Sequence, residues 1–174
     1  MIDDTEKAAR KTMDRAVRLL AAKPRSCGEL RKRLLEKPWT NLEIVNDVIK
    51  KLEGYKYVDD QQFAEELALS KLRQKPQGRR RLKLWISQKD LDSETIERAV
   101  DLAYQQFPES KLIDSSIQKR VRSKGRPASY EEERKFYEYL MRLGFSYELI
   151  REKLNRIEDI IGDDLGGESG VEDH

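Results

Sequence analysis

One cysteine and one histidine are all that this chain of 174 residues offers for thiol or imidazole chemistry. His174 is the final residue, so no imidazole is placed to activate a nucleophile or to complete a metal site. Cys27 has no base beside it and reads as a small apolar filler; as a lone cysteine it forms no internal disulfide. The paired acids Asp59 and Asp60 read as helix caps. "GGESG", residues 166–170, follows no strand and is no phosphate-binding loop. These readings point away from an enzyme and imply no cofactor or metal.

Concentrated charge is what remains. "KLRQKPQGRRRLKLWISQK", residues 71–89, holds eight lysines and arginines and no acid. On a helix opening near Gly78, Leu82 and Ile86 turn inward, while Arg79, Arg80, Arg81 and Lys83 occupy the remaining faces. Lys71, Arg73 and Lys75 close the preceding helix, where cations suit the dipole. Such a block is either a solvated helix surface or a surface for a polyanion, and the absence of acids favours the second. Arg31, Lys32 and Arg33, with Arg15 and Arg18, form a weaker basic patch. Trp85 could stack a base but reads as inter-helix core, and Trp39 reads as structural. Tyr130, Tyr137, Tyr139 and Tyr147 read as core and rim.

The elements that carry these residues come in threes. Leu30, Leu34, Trp39, Ile44 and Val48 are spaced 4, 5, 5 and 4 apart. Leu82, Ile86, Leu91, Ile96 and Val100 repeat that spacing 52 residues on, and Phe136, Leu140, Phe145, Ile150 and Leu154 repeat it 54 further. Three copies make a repeat architecture. Each reads as helix, tight turn, helix, with Thr40, Asp92 and Ser146 as N-caps. Trp39, Leu91 and Phe145 stand five before Ile44, Ile96 and Ile150, the spacing of a hydrophobic staple. Ser26, Asp59 and Ser129 cap further helices, although Gly28 is a poor residue for a first turn.

The spacing therefore predicts an all-α protein of three tandem three-helix, helix-turn-helix-like repeats. It predicts an elongated curved body with a disordered acidic C-terminal tail. The expected domains are residues 1–55, 56–107 and 108–156, with a flexible tail over 157–174. That tail holds seven acids and no lysine or arginine, leaving a body with 35 basic and 26 acidic residues, or +9. A basic body suits an anionic partner. With 37% hydrophobic and 39% charged residues, the cores must be thin. No apolar run is long enough to span a bilayer and no secretory leader is visible, so a cytoplasmic setting without a membrane partner is expected.

"YVDDQQFA" followed by "KLRQKPQGRRRLKLWISQKDLDSETIERAV" resembles the central repeat of the RecX family. Tyr57, Asp59, Asp60, Phe63, Ala64, Lys75, Pro76, Gly78 and Arg81 carry the likeness, and "AVRLLAAKPRSCGELRKRLLEK" resembles the family's first repeat. Where family members have Gly before the tyrosine, this chain has Lys56; the third repeat matches least well. The resemblance implies a regulator without chemistry of its own; a monomer is expected. Its expected partner is the RecA–single-stranded DNA filament, whose ATPase, strand-exchange and co-protease activities it would lower. Single- and double-stranded DNA are further expected partners, through the two basic patches. A repeat protein acting on duplex DNA without RecA is the rival reading. It expects base-reading residues at the starts of the third helices, where "NLEI", "SETI" and "YELI" place acids instead.

Overall fold

The structure, a computed structural model, describes residues 4–165 and is helical throughout its regular elements. The helices are α1 (Asp4–Ala22), α2 (Cys27–Leu35), α3 (Leu42–Gly54), α4 (Asp60–Gln74) and α5 (Arg79–Ser87). They continue as α6 (Ser93–Gln106), α7 (Glu109–Lys124), α8 (Tyr130–Arg142), α9 (Tyr147–Leu154) and α10 (Ile157–Leu165). The predicted order of three-helix repeats is realised as α1–α3, α4–α6 and α7–α9. Two compact units result. One comprises the chain as far as Ala68 together with Trp85–Ala99; the other comprises Leu69–Leu84 together with the chain from Val100 on. The middle repeat thus contributes to both.

In the first unit α1, α2 and α3 pack together around Leu30, Leu34, Val45, Val48, Ile49 and Leu52, all buried, with Ala8, Met13, Leu19 and Leu20 leaning on them. In the second, α7 packs on α9 and α10 and α8 packs on α9, burying Ile113, Ile117, Phe136, Leu140, Phe145 and Ile150. The repeated apolar positions are buried in each copy except Trp39, which is 42% exposed, and Leu91 and Leu154, which are half-buried.

Most predicted caps are in place. Ser26 accepts from Glu29 N–H (3.0 Å), Asp59 from Gln62 (3.0 Å), Asp92 from Thr95 (2.9 Å), Ser129 from Glu132 (3.3 Å) and Ser146 from Leu149 (3.2 Å). Thr40 is the exception. Asn41 takes the cap, accepting from Ile44 N–H at 2.9 Å, while the Thr40 hydroxyl lies 2.9 Å from that of buried Thr12. The cap sits one residue later than the repeat spacing implies, so Trp39 loses its staple position and lies outward, with the Lys37 ammonium 5.6 Å from its ring centre. Lys56 stands at φ 60°, a left-handed position that favours Gly, and Tyr57 N–H closes the turn onto Leu52 C=O at 2.9 Å.

Residues 157–174, expected to be a flexible tail, begin instead as helix α10. Its isoleucines at 157, 160 and 161 share a face. Ile160 is buried, its carbonyl accepts from Gln118 (3.1 Å), and Glu158 pairs with Arg126 (2.6 Å). The acids had masked that apolar stripe. The rest of the expected tail, from residue 166, lies outside the described residues.

One arrangement recurs and joins successive repeats. The N-terminus of α2 is closed by residues of the following repeat. Asp60 accepts from Cys27 N–H (2.7 Å), and the Ser26 hydroxyl donates to Lys89 C=O (2.5 Å). The N-terminus of α5 is closed in the same way. Glu109 accepts from Arg79 N–H (2.8 Å), and Gly78 N–H donates to Leu143 C=O (2.8 Å). In both cases the carbonyl precedes a residue of positive φ, Asp90 (53°) or Gly144 (91°), in the turn after the next repeat's second helix. The backbones approach so closely that only glycine fits. A Cβ on Gly28 would lie 2.3 Å from Asp90 O, and one on Gly78 would lie 2.2 Å from Gly144 C and O. The poor helix former at 28 is thus a steric requirement. Each clasp satisfies helix N–H groups that would otherwise be unpaired.

Two outcomes test the clasp. Gly78→Ala should lower unfolding stability by about 2–3 kcal/mol or more. Gly54→Ala, at the end of α3 where an added Cβ would meet nothing within 4 Å, should instead raise it by up to about 1 kcal/mol. Urea titration followed by circular dichroism reads both. Cys27 is buried, and that burial first, then the nearby Asp60 and Glu53 carboxylates, push its thiol far up. Its reaction with a disulfide reagent at pH 8 should therefore proceed only through opening, and Ser26→Ala, costing about 1 kcal/mol, should speed it about fivefold.

Candidate functional site

A helix normally opens with acids, because its N-terminus carries a partial positive charge. Nine of the ten described helices obey, from Asp4 and Glu6 in α1 to Glu158 and Asp159 in α10. Helix α5 does not. Its first turn has no acid and opens with Arg79, Arg80 and Arg81. Helix α4, directly before it, ends with Lys71 and Arg73. The two ends meet across the short connection 75–78, so cations of both fall in one stretch of the second unit.

The predicted residues have different environments. Arg79 is committed to the fold. Its guanidinium lies 2.5 Å from the Asp101 carboxylate and 5.0 Å from the Tyr104 ring centre. Burial pushes the Tyr104 phenol up, and its hydroxyl donates to Gln77 C=O at 2.8 Å. Lys71 and Lys83 are half-buried and engaged by neighbours. Arg81 is exposed and donates to the carbonyl of Arg142 at 3.2 Å, at the C-terminal end of α8 where a cation is favoured. Arg73, Lys75 and Arg80 are exposed and form no ion pair among the described residues. The ridge therefore presents Arg73, Lys75, Arg80 and Arg81, with Arg79 as its internal strut.

The second patch is differently arranged. Lys32 pairs with Asp90, Arg33 with Glu36 (2.9 Å), and Arg31 donates to Asn46 (3.0 Å). Arg15 also approaches Glu36, at 3.8 Å. Each of the three residues 31–33 is thus engaged by a neighbour of the first unit. Trp85 is half-buried with the Lys89 ammonium 5.5 Å from its ring centre.

Several contributors escaped sequence reasoning. Asp101 and Glu109 neutralise and cap the start of α5, and Arg142 places another exposed arginine beside Arg81. Each lies 22 to 61 residues from its partner. Nothing in local spacing connects them. Among the described residues no group of three His, Cys, Asp or Glu could hold a metal ion, and no helix is long and apolar enough to cross a membrane.

Three tandem three-helix domains, joined by clasps and carrying a cationic ridge on the middle one, define a helical-repeat scaffold with a basic face. The family model of the first three-helix domain of RecX matches residues 13–52, that of the second 59–100 and that of the third 109–154. The chain belongs to the RecX family. It is similar to the regulatory protein RecX of Chlorobaculum tepidum, 29% identical over 173 residues that cover 99% of this chain and 98% of that one. It is likewise similar to the regulatory protein RecX of a Thermotoga species, 34% identical over 150 residues and 86% of each chain. The crystal structure of RecX from Lactobacillus salivarius shares the fold, with a TM-score of 0.78 over 87% of this chain and 97% of that one at 20% identity.

The charge at α5 opposes the helix dipole, so its removal has an expected sign. Arg80→Glu should stabilise the protein by about 0.3–1 kcal/mol. Arg79→Ala should destabilise it by about 1 kcal/mol through loss of the Asp101 pair and the Tyr104 contact. Urea midpoints of the two variants check both.

Proposed function

We propose that this protein regulates the RecA recombinase by binding the RecA–single-stranded DNA filament through the α4–α5 ridge. Binding lowers ATP hydrolysis, strand exchange and co-protease activity. The observation that carries this reading is the start of α5. Three arginines replace the acids found at every other described helix start, against the fold's own electrostatic interest. Charge placed at a cost to stability is explained by an anionic partner. Membership of the RecX family supports RecA as the partner, and the exposed ridge supports the contact.

The rival, sequence-specific binding of duplex DNA, needs a recognition helix whose first turn can approach base edges. The third helices of the three domains open with Glu43, Glu94 and Glu148. Those carboxylates would meet phosphates and the acceptor-rich groove. The ridge, by contrast, carries its cations on exposed positions of one unit and needs no groove insertion.

Titrating the protein into RecA hydrolysing ATP on single-stranded DNA at near-physiological salt is the direct test. Inhibition is the expected result. The Arg73→Ala, Lys75→Ala, Arg80→Ala triple variant should require about tenfold more protein for the same inhibition. It should also flatten the salt dependence by about two units of log–log slope, at about 0.7 per lost phosphate contact. Undiminished inhibition by the triple variant would remove the ridge from the mechanism. Full RecA activity alongside tight binding to bare duplex DNA would overturn the reading altogether.

A further inference from the structure

The third domain holds a second feature that the ridge leaves unused. A cavity of about 740 Å³ opens between the loop before α8, the outer faces of α8 and α9, and the start of α10. Volumes of this order suit a ligand of nucleotide size. Tyr130, Tyr137 and Tyr147 line it together with Arg126, Arg134 and Arg151. Tyr130 is 82% and Tyr147 53% exposed, values that a core or rim residue does not need. Tyr147 is steadied by Tyr137, whose ring centre lies 5.3 Å away at a 60° tilt, and still keeps about half of its surface exposed.

The polar groups differ in how fully they are occupied. Arg126 is held by Glu158 (2.6 Å) and Arg134 by Glu138 (3.6 Å). Arg151 is exposed and has no ion pair among the described residues. The Tyr137 hydroxyl is buried and finds no hydrogen-bond partner.

Comparison among the repeats sharpens the point. By the repeat offsets, Tyr137 occupies the position of Arg31 in the first domain and Lys83 in the second. The buried neighbours Leu30, Leu82 and Phe136 preserve the same scaffold. The third domain has therefore exchanged a cation for an aromatic ring at an equivalent surface position, and has gathered two further tyrosines around it. A site meant only for phosphate would have kept the cation. Exposed rings interleaved with arginines are the arrangement that stacks unpaired bases and holds their phosphates.

We infer that the cavity formed by Tyr130, Tyr137, Tyr147 and Arg151 binds an unpaired nucleobase together with its phosphate. The base stacks on the exposed Tyr147 ring, and Arg151 holds the phosphate. The site differs in every residue from the α4–α5 ridge and does not depend on RecA. The same chemistry is offered by a single strand and by a free nucleotide.

The test uses the full chain without RecA. Fluorescence anisotropy of a labelled oligothymidylate is compared with that of an abasic strand of equal length and charge. The oligothymidylate should bind about fivefold tighter or more, the range that one stacked base supplies. Tyr147→Ala and Arg151→Ala should each weaken it about fivefold or more, Tyr147→Phe should restore binding, and Tyr147→Ala should leave the abasic strand unaffected. Both positions are exposed, so circular dichroism should not change, and only Tyr147→Ala, which gives up the ring contact with Tyr137, should lower the urea midpoint slightly. Displacement by thymidine monophosphate would make a free nucleotide the occupant; Tyr147-dependent binding without such displacement would make it a strand. Equal affinity for the two strands, or oligothymidylate binding indifferent to Tyr147→Ala, would overturn the proposal. Because ridge variants should weaken both strands alike, failure here is distinguishable from failure of the RecA reading.

Discussion

The fold depends on closing the N-terminus of the second helix, in the first and middle domains, with atoms of the next domain. A three-helix domain of this size buries little apolar surface and is marginal alone. The clasp answers that weakness with directional contacts. An acid from the following first helix meets the leading N–H, and a turn carbonyl meets the cap residue, at Asp60 and Lys89 for α2 and at Glu109 and Leu143 for α5. Because a Cβ at Gly28 or Gly78 would collide with backbone, the fit is set by glycine and tolerates no side chain. Helix α8, after which no further three-helix domain follows among the described residues, closes itself. It begins with Ser129 accepting from Glu132 N–H, while Glu132 accepts from Ala128 N–H at 2.8 Å, a capping pair built from local residues alone.

The clasp also makes the ridge tolerable. Three arginines at the start of a helix work against its dipole, yet Glu109 reaches across from α7 to take the first N–H, and Asp101 from α6 neutralises the first guanidinium. The acids that other helices carry in their own first turns are here supplied from elsewhere in the unit. The outer surface of α5 is thus released to remain cationic. Arg79 contributes by holding the helix start in place, and Arg80 contributes by remaining exposed.

Local periodicity was legible because it obeys local rules. The 4, 5, 5, 4 spacing marked twelve buried positions of fifteen, and the side chains of Ser26, Asp59, Asp92, Ser129 and Ser146 announced their helices. What depended on distant segments was not legible. Thr40 yielded the cap to Asn41 because Thr12, 28 residues earlier, takes its hydroxyl. Asp60 read as a cap for its own helix and instead closes α2, 33 residues earlier. Arg79 could not be told from Arg80 by sequence, since only Asp101 and Tyr104 distinguish them. Helix α10 was hidden because its acids outweigh an apolar stripe whose use requires α7 and α9 to be in place.

A repeat scaffold separates two kinds of position, and the three domains show the separation at work. Buried positions are constrained by packing, so Leu30, Leu82 and Phe136 remain apolar and the helices keep a common register. The residues one step further on are released from packing and diverge into Arg31, Lys83 and Tyr137. Arg31 is bonded to Asn46, Lys83 is half-buried and engaged by neighbours, and Tyr137 steadies Tyr147 at a cavity. Divergence at one register therefore gives the domains different surfaces without disturbing the clasp that joins them. The constraint that joins the domains is the same one that leaves their faces free to differ.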